Sequence, residues 1–267
     1  MIRWLRRVAL TLVAFYLVAL GTLYAAQDSL IFPGWDGPSP QMVATVPGIA
    51  EVAVPGPDGV SLRGWYRPAD PDQPTIIFFH GNAGFQWHKL PPLAARGYGL
   101  LLVSYRGFSG NPGTPSEAGL MADARSTLAH AAALGIAPSE TVLYGESLGT
   151  GVAARMALEP GAWRALILDA PYTSIAERAA EMYPIFPIRT MIQAEFDTLS
   201  IIDRIDTPLL ILHGTDDFVI PVDHGRTLLA AAADPKDAIW IEGGSHFLPP
   251  AVIADGIAAF LTRTPPV

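Results

Sequence analysis

A chain of 267 residues is long enough for one large α/β domain with a sizeable core, and it holds no repeat or charge block that marks a second. Half of its residues are hydrophobic, only 16% are charged, and cysteine is absent, which excludes disulfides, thiolate zinc sites and a cysteine nucleophile. The formal charge is −8, and with Arg3, Arg6 and Arg7 set aside 14 basic residues face 25 acidic ones, a balance that argues against a nucleic-acid partner.

Val8 to Ala26 contains no charge and no proline. Nineteen helical residues at ~1.5 Å each reach about 28 Å, close to the hydrocarbon thickness of a bilayer. Arginines stand only before this run, while Asp28 and Asp36 follow it and no basic residue occurs until Arg63. The positive-inside rule then puts the N-terminus in the cytoplasm and the remainder across the membrane. A cleaved signal peptide shows the same basic and apolar regions, and its product is secreted. Leu23 and Tyr24 occupy the −3 positions of the two available cleavage sites and fit poorly, so residues 1–27 read as an uncleaved anchor ahead of a domain at 28–267.

Gln27 to about Pro57 is rich in Pro and Gly and reads as a lead-in segment from the membrane to the fold. Val60 to Tyr66 alternates after a Pro-Asp-Gly turn and predicts a strand. Thr75 to Phe79, Tyr98 to Tyr105, Val142 to Tyr144, Arg164 to Asp169, Leu209 to His213 and Ala238 to Ile241 are near-continuous apolar runs, the signature of strands buried on both faces of a parallel sheet. Helices fall between them. One starts with Thr114 as N-cap, Pro115 at N1 and Glu117 at N3, a capping box, and closes at Gly135; others cover Val152 to Leu158, His224 to Ala233 and Val252 to Leu261. This alternation predicts a doubly wound, mainly parallel α/β sheet with ligands beyond the carboxyl ends of its strands. The one insertion large enough for a lid, at about 171–206, is short, and its apolar, proline-broken Met182 to Ile188 reads either as the lining of an acyl groove or as ordinary packing.

Gly145-Glu146-Ser147-Leu148-Gly149 fits G-x-S-x-G between a strand and a helix. Such a turn strains the serine backbone and leaves no room for side chains at the flanking positions, which is why both are glycine. A serine hydroxyl is a weak nucleophile until a base takes its proton, and the base needs a carboxylate to hold its tautomer. His246, in the Gly243-Gly244-Ser245-His246 loop after the last strand, is the candidate base. Asp216 and Asp217 both follow the strand at Leu209 to His213, and spacing alone does not separate them. Asp217 is chosen because G-x-x-D followed by apolar residues and Pro is the usual form of this loop. His80 and His213 each close a strand before a glycine and read as structural plugs, while His88, His130 and His224 read as solvated. The N–H of Leu148, at a helix start, and that of Asn82 are the expected oxyanion-hole donors.

Taken together, Phe79 to Gly84, Tyr105 to Phe108, Gly113 to Glu117, Gly145 to Gly149, Asp169 to Ser174 and His213 to Asp217 resemble the membrane-anchored α/β-hydrolases of the bud-emergence-like group, which are similar to lysophospholipases and protein depalmitoylases. The resemblance implies an α/β-hydrolase fold, a Ser, Asp, His chain order and an N-terminal anchor. Ser109 stands where that group usually has Gly, with Gly110 one place later, so a differently shaped loop is expected there.

The function expected is a serine esterase, lipase or thioesterase forming an acyl-enzyme on Ser147, with small-molecule or lipid-like acyl esters as substrates. A peptidase using the same residues is the alternative, and a silent membrane-tethered binding module is the alternative from another class. No phosphate loop, dinucleotide fingerprint or metal-ligand spacing occurs, so no cofactor and no metal are expected; the sequence leaves the oligomeric state open.

Overall fold

The computed structural model describes residues 1–265. Helix α1 (Ile2–Ile31) is followed by a short helix α2 (Pro40–Val43), capped by Ser39, and by strand β1 (Ala50–Pro55). β1 lies inside the segment read from sequence as a lead-in. It is an edge strand with only Val54 buried, so it carries almost no apolar pattern. Strands β2 (Ser61–Arg67), β3 (Thr75–Phe79) and β4 (Gly99–Val103) follow, with helix α3 (Leu90–Ala94) between the last two. Then come α4 (Glu117–Ala133), β5 (Thr141–Glu146), α5 (Leu148–Met156) and β6 (Ala165–Asp169). The connection to β7 (Leu209–Gly214) carries α6 (Ile175–Met182) and α7 (Ile188–Met191), and α8 (Val222–Ala231), β8 (Lys236–Ile241) and α9 (Pro250–Arg263) complete the fold.

The strands form one eight-stranded sheet in the order β1-β2-β4-β3-β5-β6-β7-β8. β2 runs antiparallel to both neighbours and every other pairing is parallel. All residues of β3 to β7 are buried. Alternation along each strand divides them between two cores: Ile77, Phe79, Leu143 and Leu168 pack with Leu120 of α4, Val152 of α5 and Leu228 of α8, whereas Ile76, Phe78, Val142 and Ile167 pack with Leu93 of α3 and Ile257 of α9. Covering both faces explains why these strands read as unbroken apolar runs.

The start of α4 lies two residues later than the capping box predicted. Ser116 is the N-cap, its hydroxyl accepting from Gly119 N–H, while Glu117 instead accepts from Glu195 N–H at 2.8 Å. In the loop where Ser109 replaces the usual glycine, two consecutive residues are left-handed. Ser109 takes φ +54° and Gly110 φ +78°, and the Ser109 hydroxyl lies 2.6 Å from that of Ser104, a local hydrogen bond that offsets the left-handed backbone.

Helix α1 is long and apolar enough to cross a membrane, none of it is buried, and it is compatible with a membrane anchor or a signal sequence. It runs four residues past the anchor boundary read from sequence. Its second half lies against the connection between β6 and β7: the Tyr16 ring stacks on Phe186 at 5.4 Å, the Tyr16 hydroxyl donates to Ile185 O, and Gln193 donates from its backbone to Gln27 Oε1 and from its amide to the Tyr24 hydroxyl.

Candidate active site

Ser147 stands between β5 and α5 with φ +49° and ψ −119°, the strained turn expected of G-x-S-x-G. The two glycines are there for space. A Cβ on Gly149 would lie 1.9 Å from Phe79 O, and one on Gly145 would lie 2.5 Å from Gly149 O. Ser147 N–H donates to Asp169 O at 2.9 Å, which ties the turn to the end of β6.

The loops after β7 and β8 bring Asp217 and His246 to the same edge of the sheet. His246 Nε2 lies 3.1 Å from Ser147 Oγ, and His246 Nδ1 lies 2.7 Å from Asp217 Oδ2. Because a carboxylate can only accept, Nδ1 carries the hydrogen and Nε2 is free to take the serine proton. Asp217 is buried, and Asp216 is exposed. Burial by itself would raise the Asp217 pKa, but hydrogen bonds from His213, His246 and the Ile220 N–H outweigh it and hold the carboxyl well below the usual carboxylate range. The other carboxylate oxygen, Oδ1, accepts from Val219 N–H and Ile220 N–H.

His80 and His213 are buried plugs as the sequence suggested. His80 holds Gly81 O through Nδ1 at 2.7 Å and accepts from Tyr105 N–H through Nε2, and His213 Nε2 reaches Ile220 O at 2.8 Å. His224, read as solvated, is instead buried. Its Nδ1 accepts from Thr173 N–H, so its Nε2 carries the hydrogen and donates to Glu181 at 3.2 Å. Its partners lie 51 and 43 residues earlier in the chain, beyond the reach of any local pattern.

Asn82 and Leu148 line a cleft together with Ser147. Leu148 is the first residue of α5, so its N–H has no acceptor within the helix and belongs to the helix's positive end. Ser147, Leu148 and Asn82 line this cleft, and His246 and Asp217 connect to it through the hydrogen bonds that lead to the serine hydroxyl. Among the described residues no group of three or more His, Asp or Glu side chains has the arrangement to hold a metal ion.

Two features gave no sequence signal. Lys89, 1% exposed, sits beneath the serine turn with Nζ 2.8 Å from Glu146 Oε1 and 2.7 Å from Asp169 Oδ2, and the Tyr144 hydroxyl donates to the same Asp169 oxygen. Burial would lower the Lys89 pKa, but the two carboxylates raise it, so the ammonium stays charged. The second is the share that α1 takes in the cleft of about 340 Å³, whose mostly apolar walls also include Met182 and Ile188 of the stretch that the sequence offered as a groove lining.

A profile of the alpha/beta hydrolase fold matches residues 74–197. The chain is 36% identical to the Mycobacterium tuberculosis protein Rv2307c over 93% of this chain and 92% of that one. It is also 30% identical to the alpha/beta hydrolase domain-containing protein WAV2 of Arabidopsis thaliana, over 79% of this chain and 77% of the relative. The chain belongs to the α/β-hydrolase family. Among solved structures, an esterase of Pyrococcus furiosus superposes on this hydrolase with a TM-score of 0.67 at 17% identity, covering 86% of this chain and 97% of the esterase, which is a likeness of fold. In this α/β-hydrolase the serine, aspartate and histidine occur in the chain order of the family, each at the carboxyl end of a strand.

Proposed function

We propose that this protein is a serine hydrolase that cleaves carboxylic or thio esters of apolar acyl groups through an acyl-enzyme on Ser147. The observation that carries the reading is the unbroken relay from Ser147 Oγ to His246 Nε2 at 3.1 Å and from His246 Nδ1 to Asp217 Oδ2 at 2.7 Å, opening on an apolar cleft. In this mechanism Ser147 Oγ attacks the acyl carbon while its proton passes to His246 Nε2, and Asp217 stabilises the imidazolium without taking the proton. The carbonyl oxygen becomes an oxyanion that accepts from the Leu148 and Asn82 N–H groups. His246 then protonates the departing alkoxide or thiolate as the tetrahedral centre collapses. Water, deprotonated by His246, attacks the acyl-enzyme in the same way, and the carboxylic acid leaves with Ser147 re-protonated.

The cleft favours an acyl group over a charged one. Leu148, Ile175, Met182, Ile188, Met191 and Ile192 supply much of its surface, and its volume lies in the range of about 300–1,000 Å³ usual for small-molecule sites. The insertion at 171–206 that sequence reading offered as a lid supplies most of these side chains. We assign residues 1–27 to a membrane anchor with a cytoplasmic N-terminus and residues 28–267 to the hydrolase domain on the far side, on the charge asymmetry around the apolar run.

The test is a panel of p-nitrophenyl esters from acetate upward, with acyl-CoAs, lysolipids and peptides, run on the full chain and on Ser147→Ala. The expected result is hydrolysis that rises with acyl length and vanishes in the variant. Cleavage of peptides alone, or ester turnover that survives in Ser147→Ala, defeats the reading.

A further inference from the structure

The cleft at Ser147 is not built by the hydrolase domain alone. Leu23, Tyr24, Gln27, Leu30 and Ile31, all on the last turns of α1, share its lining with Ser147 and Leu148. Thus the helix that is apolar enough to cross a bilayer also forms one wall of the candidate acyl site.

A second apolar groove continues along α1 in the direction of its N-terminus, between the helix and the tip of the α6–α7 segment. The two cavities have Leu23, Leu30 and Tyr183 in common, and the outer one adds Phe15, Ala19, Thr22 and Ala26 of the helix and Phe186 of the tip. These helix positions recur at spacings of three and four and so face one way. At ~1.5 Å per residue, Phe15 to Ile31 spans about 24 Å of helix axis, most of a bilayer's hydrocarbon thickness. The tip is apolar where it meets the helix. Ile185 is 71% exposed and Met182 is 55% exposed, and Phe186 stacks on Tyr16, which lies about 15 Å along the axis from Ala26. An exposed apolar tip held beside a membrane-competent helix is the kind of surface that marks contact with lipid.

We propose that α1 is part of the substrate site: an acyl chain passes sideways from the bilayer along the α1–tip groove, and its ester carbon arrives at Ser147 without leaving apolar surroundings. The occupant of the groove is the distal part of one long acyl chain, and the inner cleft holds the part next to the ester. This assignment rests on the esterase reading above and sharpens it, since chain-length preference becomes a property of the helix as well as of the hydrolase domain. It also requires the helix to stay attached. A chain cut after Ala26 loses Leu23 and Tyr24 from the cleft wall, together with most of the groove.

The experiment uses the full-length protein in phosphatidylcholine vesicles and reads the ratio of kcat/KM for p-nitrophenyl palmitate to that for p-nitrophenyl acetate. Ala26→Phe and Ala19→Phe fill the outer groove, and Leu17→Phe places a phenyl ring on the opposite face of α1. The expected result is a ratio lowered at least tenfold by each of the first two variants and unchanged by the third. A ratio that stays at the unmodified protein's value in both groove variants overturns the proposal, whether the individual rates are preserved or fall together. An unmodified protein that hydrolyses no ester and takes up no fluorophosphonate at Ser147 defeats the esterase reading itself. One that is active but indifferent to the groove substitutions defeats only the role given to α1.

Discussion

Asp217 Oδ2 lies 2.7 Å from His246 Nδ1, while Asp216, one residue earlier, is exposed and donates only its backbone N–H, to Gly244 O. Both residues lie in the turn that follows β7, and of the two only Asp217 is buried beside the histidine. Asp217→Asn is expected to lower kcat by about 10⁴, because the amide no longer selects the Nδ1–H tautomer, and Asp216→Asn is expected to change it little. Steady-state kinetics of both variants, with circular dichroism to verify the fold, checks this. Equal losses would contradict it.

Lys89 is expected to be a stability residue. Replacing it with methionine leaves Glu146 and Asp169 facing each other in a site closed to water, and breaking a buried ion pair by removing one partner costs about 3–5 kcal/mol. For a domain of this size that corresponds to a fall in Tm of roughly 10 °C. The triple variant Lys89→Met, Glu146→Gln, Asp169→Asn, which leaves no charge behind, is expected to regain much of the loss. Calorimetry of the two variants decides, and a Lys89→Met protein as stable as the parent would show that the carboxylates find other partners.

His80 gives the fold a dependence on pH. Burial holds its pKa down at about 4, against an ordinary value of 6.5, so the native state keeps it neutral where the unfolded chain binds a proton. Stability therefore falls as pH drops from about 6.5 to 4, by ~1.4 kcal/mol per unit and about 3 kcal/mol in all. Asp217 adds a second loss at lower pH. Its native pKa is depressed, so its contribution is full above the unfolded value of about 3.9 and disappears as pH falls below that. Urea unfolding at pH 7, 5.5 and 4.5 should show the first loss in the parent and a flatter curve in His80→Gln.

Much of this fold and site is written locally in the chain. The five central strands are legible because helices cover both faces of the sheet, which forces continuous apolar runs. Ser147 and Asp217 are legible because each follows one of these runs, and His246 because it follows the shorter apolar run of β8, which proves to be a half-buried edge strand, so that all three fall at one edge of the sheet. The remainder depends on contacts distant in sequence. Lys89 lies 57 and 80 residues from its two carboxylates, and nothing in His88-Lys89-Leu90-Pro91 marks a buried cation. The β1 strand is an edge with one buried side chain, and the start of α4 is decided by which of two hydroxyl residues, Thr114 or Ser116, reaches the free amides. The part of α1 in the cleft wall shows the same limit. An apolar helix face reads identically whether lipid or a substrate pocket lies against it.

The most direct test of the account is the site of covalent reaction with a fluorophosphonate. Peptide mapping of the folded, labelled protein is expected to find one adduct, on Ser147, formed much more slowly in His246→Ala. A folded protein that stays unlabelled, or that carries the adduct on another residue, would contradict the claim that Ser147, His246 and Asp217 act as one nucleophilic unit.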